Sequence, residues 1–206
     1  AFEWSYALNS VTVSTAAAAV AVVAGIPVAY LSARHGGRLP DAFERISYIG
    51  YAVPGVVLGL ALVFFGSAYA TPIYQTLYLL VFAYVIRFLP QSVGSLRASF
   101  LSVDPSLPEA ARTLGQTSAG AFRYVTLPLV APGLFGGAAL VFLTTMKELP
   151  ATLLLRPSGF TTLVTHIWTA YESGYFGQAA IPALVLLFVS GLSMLVILRQ
   201  EGYDVK

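Results

Sequence analysis

Long stretches without any charged residue constrain this chain more than any other feature of its sequence. Four of them run from Trp4 to Ala33, Ile46 to Ile86, Tyr124 to Met146 and Ser173 to Leu198, and a turn-forming run at 66–72 divides the second. Only 10% of the residues are charged and 57% are hydrophobic, whereas a soluble domain carries roughly 25% charged residues. Lipid rather than water must therefore surround most of this protein.

These stretches predict five membrane-spanning helices. Crossing a hydrocarbon core of about 30 Å takes about 20 helical residues, and backbone groups in lipid must be hydrogen-bonded within their own segment. We therefore expect an all-α membrane protein, a bundle of five transmembrane helices forming one domain over residues 1–206. The spans are expected near 11–33, 46–66, 74–93, 127–147 and 178–198.

The basic residues are divided unequally between the two sides of the membrane. Most of the 11 Lys and Arg residues fall in the loops after spans one and three and in the C-terminal tail, and basic residues favour the cytoplasmic side. The N-terminus is therefore predicted to lie outside and the C-terminus in the cytoplasm. The cytoplasmic set is Arg34, Arg38, Arg45, Arg97, Arg112, Arg123, Arg199 and Lys206.

Small residues recur at four-residue spacing in three of the spans. Such faces allow helices to approach closely in lipid, where no hydrophobic force drives them together. The sequence therefore predicts close helix packing at Ala17, Ala21 and Gly25, at Gly55 and Gly59, and at Gly133 and Gly137. Prolines are expected to kink the spans at Pro27, Pro54, Pro132 and Pro182.

The most informative segment is the predicted cytoplasmic loop at 104–128. Ser106 and Glu109 have the spacing of a capping box, which predicts the start of a helix. Asp104, followed by Pro105, is an alternative start. Gly115 is expected to end this helix in a left-handed turn. A second short helix is predicted near 118–125, with Phe122 and Val125 on one side and Leu127-Pro128 returning the chain to the membrane.

The first loop helix has a face of small and apolar residues. Ala110, Ala111 and Leu114 share that face in an otherwise polar loop. Such a face is covered either by a partner protein or by the lipid interface, and the pattern alone leaves both open.

The loop resembles the EAA loop of permeases in binding-protein-dependent ABC importers. Glu109-Ala110-Ala111 is followed after three residues by Gly115 and after nine more by Val125-x-Leu127-Pro128, and Val125 stands where the family often has Ile. The resemblance implies the type I ABC importer permease fold, with coupling helices that seat in a groove of the ATPase subunit. The implied coupling residues are Glu109, Ala110, Ala111, Leu114, Gly115, Leu127 and Pro128.

The same resemblance implies the partners and the location. These are ABC ATPase subunits, a second permease half or subunit, an extracytoplasmic substrate-binding protein and membrane lipid, in a bacterial inner membrane. Nucleic acid is not expected, since the net charge is only +2 with no basic run. No cofactor is expected in this chain, because ATP would be bound by the partner ATPase.

Motifs for catalysis are missing from the sequence. It has no G-x-x-x-x-G-K-[ST], no G-x-S-x-G and no H-E-x-x-H, the signatures of nucleotide binding, serine hydrolysis and zinc proteolysis. His35 and His166 are predicted on opposite sides of the membrane, which argues against a shared metal, and no metal-ligating residue is proposed. We therefore predict that the chain is not an enzyme by itself.

Two further motifs resemble those of ferric-iron permeases. They are Arg87-Phe88-Leu89-Pro90 and the run KELPATLLLRP at 147–157, continued by Gly159-Phe160 and Ile167-Trp168. Such permeases are often two fused halves, and this chain resembles one half, the second. The resemblance favours ferric iron as the substrate, while thiamine, sulfate, molybdate, polyamine and phosphonate permeases share the fold.

Three charged residues near the spans remain as candidates for a pathway or a gate. Arg87 is predicted some six residues from the cytoplasmic end of its span, where it either extends to the interface or lines a pathway. Lys147 and Glu148 close the fourth span at the outer side, as interfacial anchors or as part of an outer gate.

Two other classes of membrane protein are possible alternatives. A secondary transporter driven by an ion gradient would have ionisable residues or broken helices at the membrane midplane, and the sequence indicates almost none. A purely structural membrane subunit would not need a patterned cytoplasmic loop.

Overall fold

A computed structural model describes residues 3–35 and 37–201, and every regular element within those ranges is a helix. A 3₁₀ turn at Thr71–Ile73 and a π-helical segment at Phe122–Thr126 interrupt the α-helices. The α-helices are α1 (Trp4–Arg34), α2 (Arg38–Ala52), α3 (Gly55–Ala68), α4 (Leu77–Ser102), α5 (Ser106–Thr113), α6 (Ser118–Ala121), α7 (Leu127–Leu129), α8 (Ala131–Met146), α9 (Pro150–Leu155), α10 (Leu163–Glu172) and α11 (Phe176–Glu201).

Three of these helices are long and apolar enough to cross a membrane unaided: α1, α4 and α11. Two bent pairs meet the same criterion when each is taken as one span. They are α2 with α3, and the segment Ser118–Leu129 with α8. Counted in this way, the structure has up to five spans, in agreement with the five expected from the sequence.

The second span is not the single helix predicted over 46–66. α2 and α3 meet at an angle of 99°, and Val53 between them has an extended backbone with φ −78° and ψ 128°. Pro54 explains the break, because proline has no N–H to donate and disfavours the helical conformation of the residue before it. The predicted kink is therefore a complete interruption of the helix.

Helix α4 lies at the centre of the bundle, and α1, α2 and α8 pack around it. Leu80, Val93, Leu96 and Phe100 on this helix have no exposed surface. α4 continues to Ser102, well past the predicted end of the third span at residue 93. Its C-terminal end carries an ion pair between Arg97 Nε and Glu44 Oε2, 3.3 Å apart.

The predicted small-residue faces are the contacts between the spans. Ala17 and Ala21 are fully buried. A methyl group added at Gly25 would lie 3.0 Å from Ser92 Oγ of α4, and one at Gly133 would lie 2.1 Å from Ser99 Oγ. A methyl group at Gly133 has no room and one at Gly25 would press on the Ser92 side chain, so the prediction of close packing is confirmed.

Helix α11 lies at the edge of the bundle. It contacts α10 and α8, and Leu184, Leu187 and Phe188 on its outer side are largely exposed. This surface suits lipid or another membrane helix. The orientation predicted from the sequence relied in part on Arg199 and Lys206 in the basic tail. The Arg199 side chain and Lys206 lie outside the described residues.

Candidate functional site

The start of α5 differs from the predicted capping box. Ser106 is the first helical residue and Pro105 precedes it, with no side-chain bond at that cap. The Ser106 N–H instead donates to Asp104 Oδ1 at 2.8 Å. The alternative start at Asp104 is therefore the one that forms. Hydrogen bonds from the Ser106 backbone and side chain, with a smaller contribution from nearby Arg34, lower the pKa of Asp104.

The end of α5 is the left-handed turn predicted at Gly115. Gly115 has φ +95°, and its N–H donates to the Arg112 carbonyl at 3.1 Å while the Gln116 N–H donates to the Ala111 carbonyl at 3.0 Å. These two bonds form a Schellman motif, which satisfies carbonyls at a helix end. The predicted helix end is confirmed.

The outward face of α5 is apolar and uncovered. Leu114 is 86% exposed and Leu107 is 46% exposed, and Ala110 between them is also exposed while Ala111 is partly buried. Residues three and seven positions apart share one side of a helix, so Leu107 extends the face predicted from Ala110, Ala111 and Leu114. The same spacing in the sequence would have identified Leu107.

Glu109 lies on another side of α5 from the apolar face. It lines an open cleft of about 380 Å³ between α5, α6 and the C-terminal end of α1, together with Arg34, His35 and Arg112. Arg34 Nη2 also donates to the Val103 carbonyl at 2.8 Å, which ties α1 to the start of the loop. The candidate coupling residues thus occupy two neighbouring surfaces rather than one.

The second half of the loop anchors it to the bundle. α6 begins at Ser118, where Thr117 Oγ1 accepts from the Gly120 N–H at 3.0 Å, as the predicted second helix requires. Phe122 and Leu127 pack against a buried cluster of α1 and α4, and Pro128 is exposed. Of the two candidate coupling residues here, Leu127 faces the inside of the protein.

Arg87 is paired inside the protein. Because α4 extends to Ser102, Arg87 lies in the interior of a 26-residue helix, and its Nε is 3.4 Å from Glu148 Oε2. An arginine in lipid needs a counter-charge, and Glu148 supplies one from the polypeptide after α8. This ion pair favours a place inside the protein over extension to the interface, and a role in a pathway stays a prediction.

Lys147 and Glu148 have different environments, although both were expected at the outer interface. Lys147 is exposed, whereas Glu148 is only 7% exposed. Glu148 Oε1 accepts from the Ala151 N–H at 3.3 Å, so it also caps the start of α9. An anchoring role fits Lys147 and does not fit Glu148.

The ion pair lies where the second span breaks. Arg87 Nη1 donates to the Val53 carbonyl at 3.0 Å. A methyl group at Gly55 would lie 2.7 Å from Glu148 Oε1 and 2.9 Å from Arg87 Nη1. The two motifs RFLP and KELP, 60 positions apart, therefore meet at this point.

The argument from the sequence against a secondary transporter does not hold. It relied on an apparent absence of buried charges and broken helices, and the structure has both.

The histidines lie apart, as the sequence indicated. His35 lines the cleft beside α5, and His166 in α10 stacks on Tyr6 with ring centroids 4.7 Å apart. Burial lowers the pKa of His166. Among the described residues, no group of three or more His, Cys, Asp or Glu side chains could hold a metal ion.

Comparison with known proteins gives a family match over most of the chain. The sequence model of the family described as "binding-protein-dependent transport system inner membrane component" matches residues 21–203. An Fe(3+)-transport system permease protein of Haemophilus influenzae is 35% identical over 184 residues, covering 89% of this chain and 36% of that protein. The chain thus spans about a third of the length of this relative.

Other relatives carry different substrate names. A probable molybdenum ABC transporter permease protein of Haloferax volcanii is 33% identical over 190 residues, covering 89% of this chain and 70% of the relative. A putative 2-aminoethylphosphonate transport system permease protein of Salmonella typhimurium is 25% identical over 192 residues, covering 93% of this chain and 72% of the relative.

Solved structures share the fold. The MetNI methionine ABC transporter in its inward-facing conformations aligns with a TM-score of 0.72 at 19% identity, covering 94% of this chain and 92% of that chain. An amino acid ABC transporter with histidines aligns with a TM-score of 0.65 at 22% identity, covering 92% of this chain and 90% of that chain. The expected fold, a type I ABC importer permease, is confirmed.

Proposed function

The chain belongs to the family of binding-protein-dependent transport system inner membrane components, and from this premise we propose that it is the permease of an ATP-driven ferric-iron importer coupled to its ATPase through α5. Members of this family are membrane permeases, and the ATPase is a separate subunit. The observation that carries the coupling proposal is the uncovered apolar face of α5, with Leu114 86% exposed.

The shape of the loop supports docking into a groove of the ATPase. α5 is a short helix with fixed ends, held by Asp104 at its start and by Gly115 at its end, and it presents Ala110 and Leu114 outward. An apolar helix face of this kind fits a hydrophobic groove. Glu109 and Arg112 lie on the other side of α5 and line the cleft beside α1, so they are not part of this apolar face.

Leu127 anchors the loop rather than touching the ATPase, whereas Pro128 is exposed and stays a candidate contact. Leu127 packs on the buried cluster that includes Val93, Leu96 and Phe100 of α4. A force on α5 would therefore reach the central helix of the bundle through packed side chains. This arrangement supports transmission from ATP hydrolysis to the spans.

Ferric iron is the substrate that the sequence motifs favour. RFLP and KELP, the two motifs that resemble ferric-iron permeases, contribute Arg87 and Glu148 to the ion pair. The relative that is 35% identical is named for Fe(3+) transport. Molybdate is the second candidate, because a relative that is 33% identical is named for molybdenum.

The remaining partners follow from the same proposal. An extracytoplasmic binding protein would deliver the solute to the side that carries α9 and α10, and a second permease half would complete the pathway. The N-terminus would lie outside and the C-terminus in the cytoplasm, because the charge asymmetry favours that orientation.

Radioactive uptake in cells tests the substrate. Cells that lack the protein should lose uptake of ferric iron and keep uptake of molybdate, sulfate and thiamine, and the wild-type gene should restore the loss. Loss of molybdate uptake with normal iron uptake would replace iron by molybdate and leave the permease function standing.

A further inference from the structure

Helix α3 and helix α9 form a pair that is attached to α4 by a shared apolar cluster and by polar contacts at the starts of the two helices. A methyl group at Gly59 of α3 would lie 2.7 Å from Leu154 Cδ1 and 3.5 Å from Ala151 Cα, so the two helices are in close contact. Both helices begin beside the ion pair. Tyr84 of α4 adds a hydrogen bond of 2.6 Å to Thr152 of α9.

The charges of the ion pair match the helix ends that surround them. Arg87 donates to the Val53 carbonyl at the C-terminal end of α2, where the helix dipole is negative. Glu148 lies against Gly55, the first residue of α3, and accepts from Ala151 in the first turn of α9. These two helix starts carry positive dipole ends, which stabilise a carboxylate.

Each member of the pair therefore has two roles in this state. Arg87 satisfies a carbonyl that the break at Pro54 leaves without a helical partner, and it neutralises Glu148. Glu148 neutralises Arg87 and holds the starts of both outer helices. If the pair separated, each charge would be left unpaired among apolar residues, so α3 and α9 have one preferred position on α4.

We propose that the Arg87–Glu148 ion pair is a lock that holds α3 and α9, as one unit, closed against α4 during the transport cycle. Arg87 and Glu148 are positioning residues in this proposal, and Gly55 is the residue whose missing side chain leaves room for the pair. The inference rests on the proposed import function only for its effect on uptake. The closed position itself can be measured without knowing the solute.

Thiol labelling from the outer side tests the lock, because the chain has no cysteine of its own. Leu155→Cys is the reporter, since Leu155 is 2% exposed and shares a buried cluster with Leu79 and Leu80 of α4. Ala17→Cys, fully buried between α1 and α4, reports general loosening of the bundle. Labelling is measured in membranes that contain the complete transporter with its ATPase.

The double variant Arg87→Met/Glu148→Gln removes both charges, so neither is left uncompensated. It should insert at the wild-type level, label Leu155→Cys roughly tenfold faster, leave Ala17→Cys protected, and reduce binding-protein-dependent uptake. Wild-type labelling of Leu155→Cys in this variant would overturn the proposal. An equal increase in the labelling of Ala17→Cys would also overturn it, because the ion pair would then be a general structural support.

Gly55→Ala provides a second test if the double variant does not insert. It keeps both charges but places a methyl group 2.7 Å from Glu148 Oε1 and 2.9 Å from Arg87 Nη1, so it should also speed labelling of Leu155→Cys. Gly136→Ala is the matched control, because a methyl group there meets only Ser95 Oγ at 3.3 Å. Equal labelling in the two alanine variants would contradict the lock.

The labelling result and the function assay can fail separately. A wrong solute would abolish the uptake difference for iron and leave the labelling difference intact. If the double variant takes up iron normally and labels Leu155→Cys at the wild-type rate, the proposed function stands and the lock does not.

Discussion

Gly115 has a backbone conformation that few other residues adopt. Its φ of +95° lies in the region where a Cβ atom meets the neighbouring carbonyl, and α5 can end in its Schellman motif only if this conformation is available. The position of Leu114 on the surface depends on that ending. A single glycine thus fixes the shape of the proposed docking helix.

Replacement of Gly115 tests this dependence. Gly115→Val should cost about 1–2 kcal/mol in the loop and weaken capture of the ATPase subunit in a pull-down, while Gly115→Asn should be mild because Asn tolerates the left-handed region.

Gly159→Val is the matched control for this variant. Gly159 has φ +78°, and no neighbouring atom would meet a methyl group at either glycine, but it lies after α9, far from α5 along the chain. Equal loss of ATPase capture in the two valine variants would show that the effect is general destabilisation.

Asp104 makes the start of α5 sensitive to acid. Its pKa is lowered from the ordinary 3.8, chiefly by hydrogen bonds from Ser106. A lowered pKa means that the carboxylate stabilises the folded loop above the ordinary pKa and that this contribution disappears as the pH falls through the lowered value. Amide exchange at Ser106, corrected for its intrinsic pH dependence, should therefore rise only in strong acid. Asp104→Ala should show the raised rate at neutral pH, whereas Asp104→Asn keeps an acceptor and should stay near wild type.

At the scale of elements, α5 differs from the helices of the bundle in how little of it is buried. α5 has no buried residue, whereas the helical segment that follows it is attached to the core by Phe122 and Leu127. The loop therefore has an exposed half, which is the proposed docking helix, and an anchoring half. This division explains how an exposed helix can have a defined orientation.

A charge placed on the apolar face of α5 should separate docking from folding. Leu114→Asp should lower affinity for the ATPase subunit by roughly tenfold or more, because burying a leucine contributes about 1.5–3 kcal/mol. It should not reduce the amount of protein in the membrane. Binding-protein-stimulated ATP hydrolysis by the reconstituted complex measures the loss of coupling.

Thr113→Asp is the control for Leu114→Asp. It adds the same charge one residue earlier, also near the end of α5 and also exposed, but about 100° away around the helix. If the two variants bind the ATPase equally well, the apolar face is not the docking surface.

At the scale of the whole molecule, a long continuous helix packs against both continuous and interrupted ones. α4 is continuous from Leu77 to Ser102, while the second span breaks at Val53 and the polypeptide after α8 breaks again before α9. Interrupted helices in a membrane need partners for their free backbone groups. Here the charged side chain of Arg87 provides one, so the breaks are supported from the centre of the bundle.

The proposed orientation predicts the side of the membrane on which each loop lies. Cysteines at Ser118 and Ser158, both exposed positions, should react from opposite sides of the membrane with a reagent that cannot cross it. Ser118→Cys should react only from the cytoplasm and Ser158→Cys only from outside. Reaction of Ser118→Cys from outside would reverse the orientation and exclude docking of α5 on a cytoplasmic ATPase.

The sequence by itself determined the class of protein, the set of up to five spans, the end of α5 at Gly115 and, as one of two alternatives, its start at Asp104. Charge-free length is enough to specify a helix in lipid, and the signals at Asp104 and Gly115 act on neighbouring backbone groups. The small-residue contacts of Gly25 and Gly133 were also predictable, because close approach of two helices excludes a side chain at the contact.

Only the tertiary structure decided the partner of Arg87. The extent of α4 past residue 93, the complete break at Pro54 and the burial of Glu148 depend on elements distant in the chain. Sequence spacing does not specify which distant groups meet. An arginine in an apolar helix requires a counter-charge, but Glu148 became that charge because α8 returns beside α4 and places it against the starts of α3 and α9.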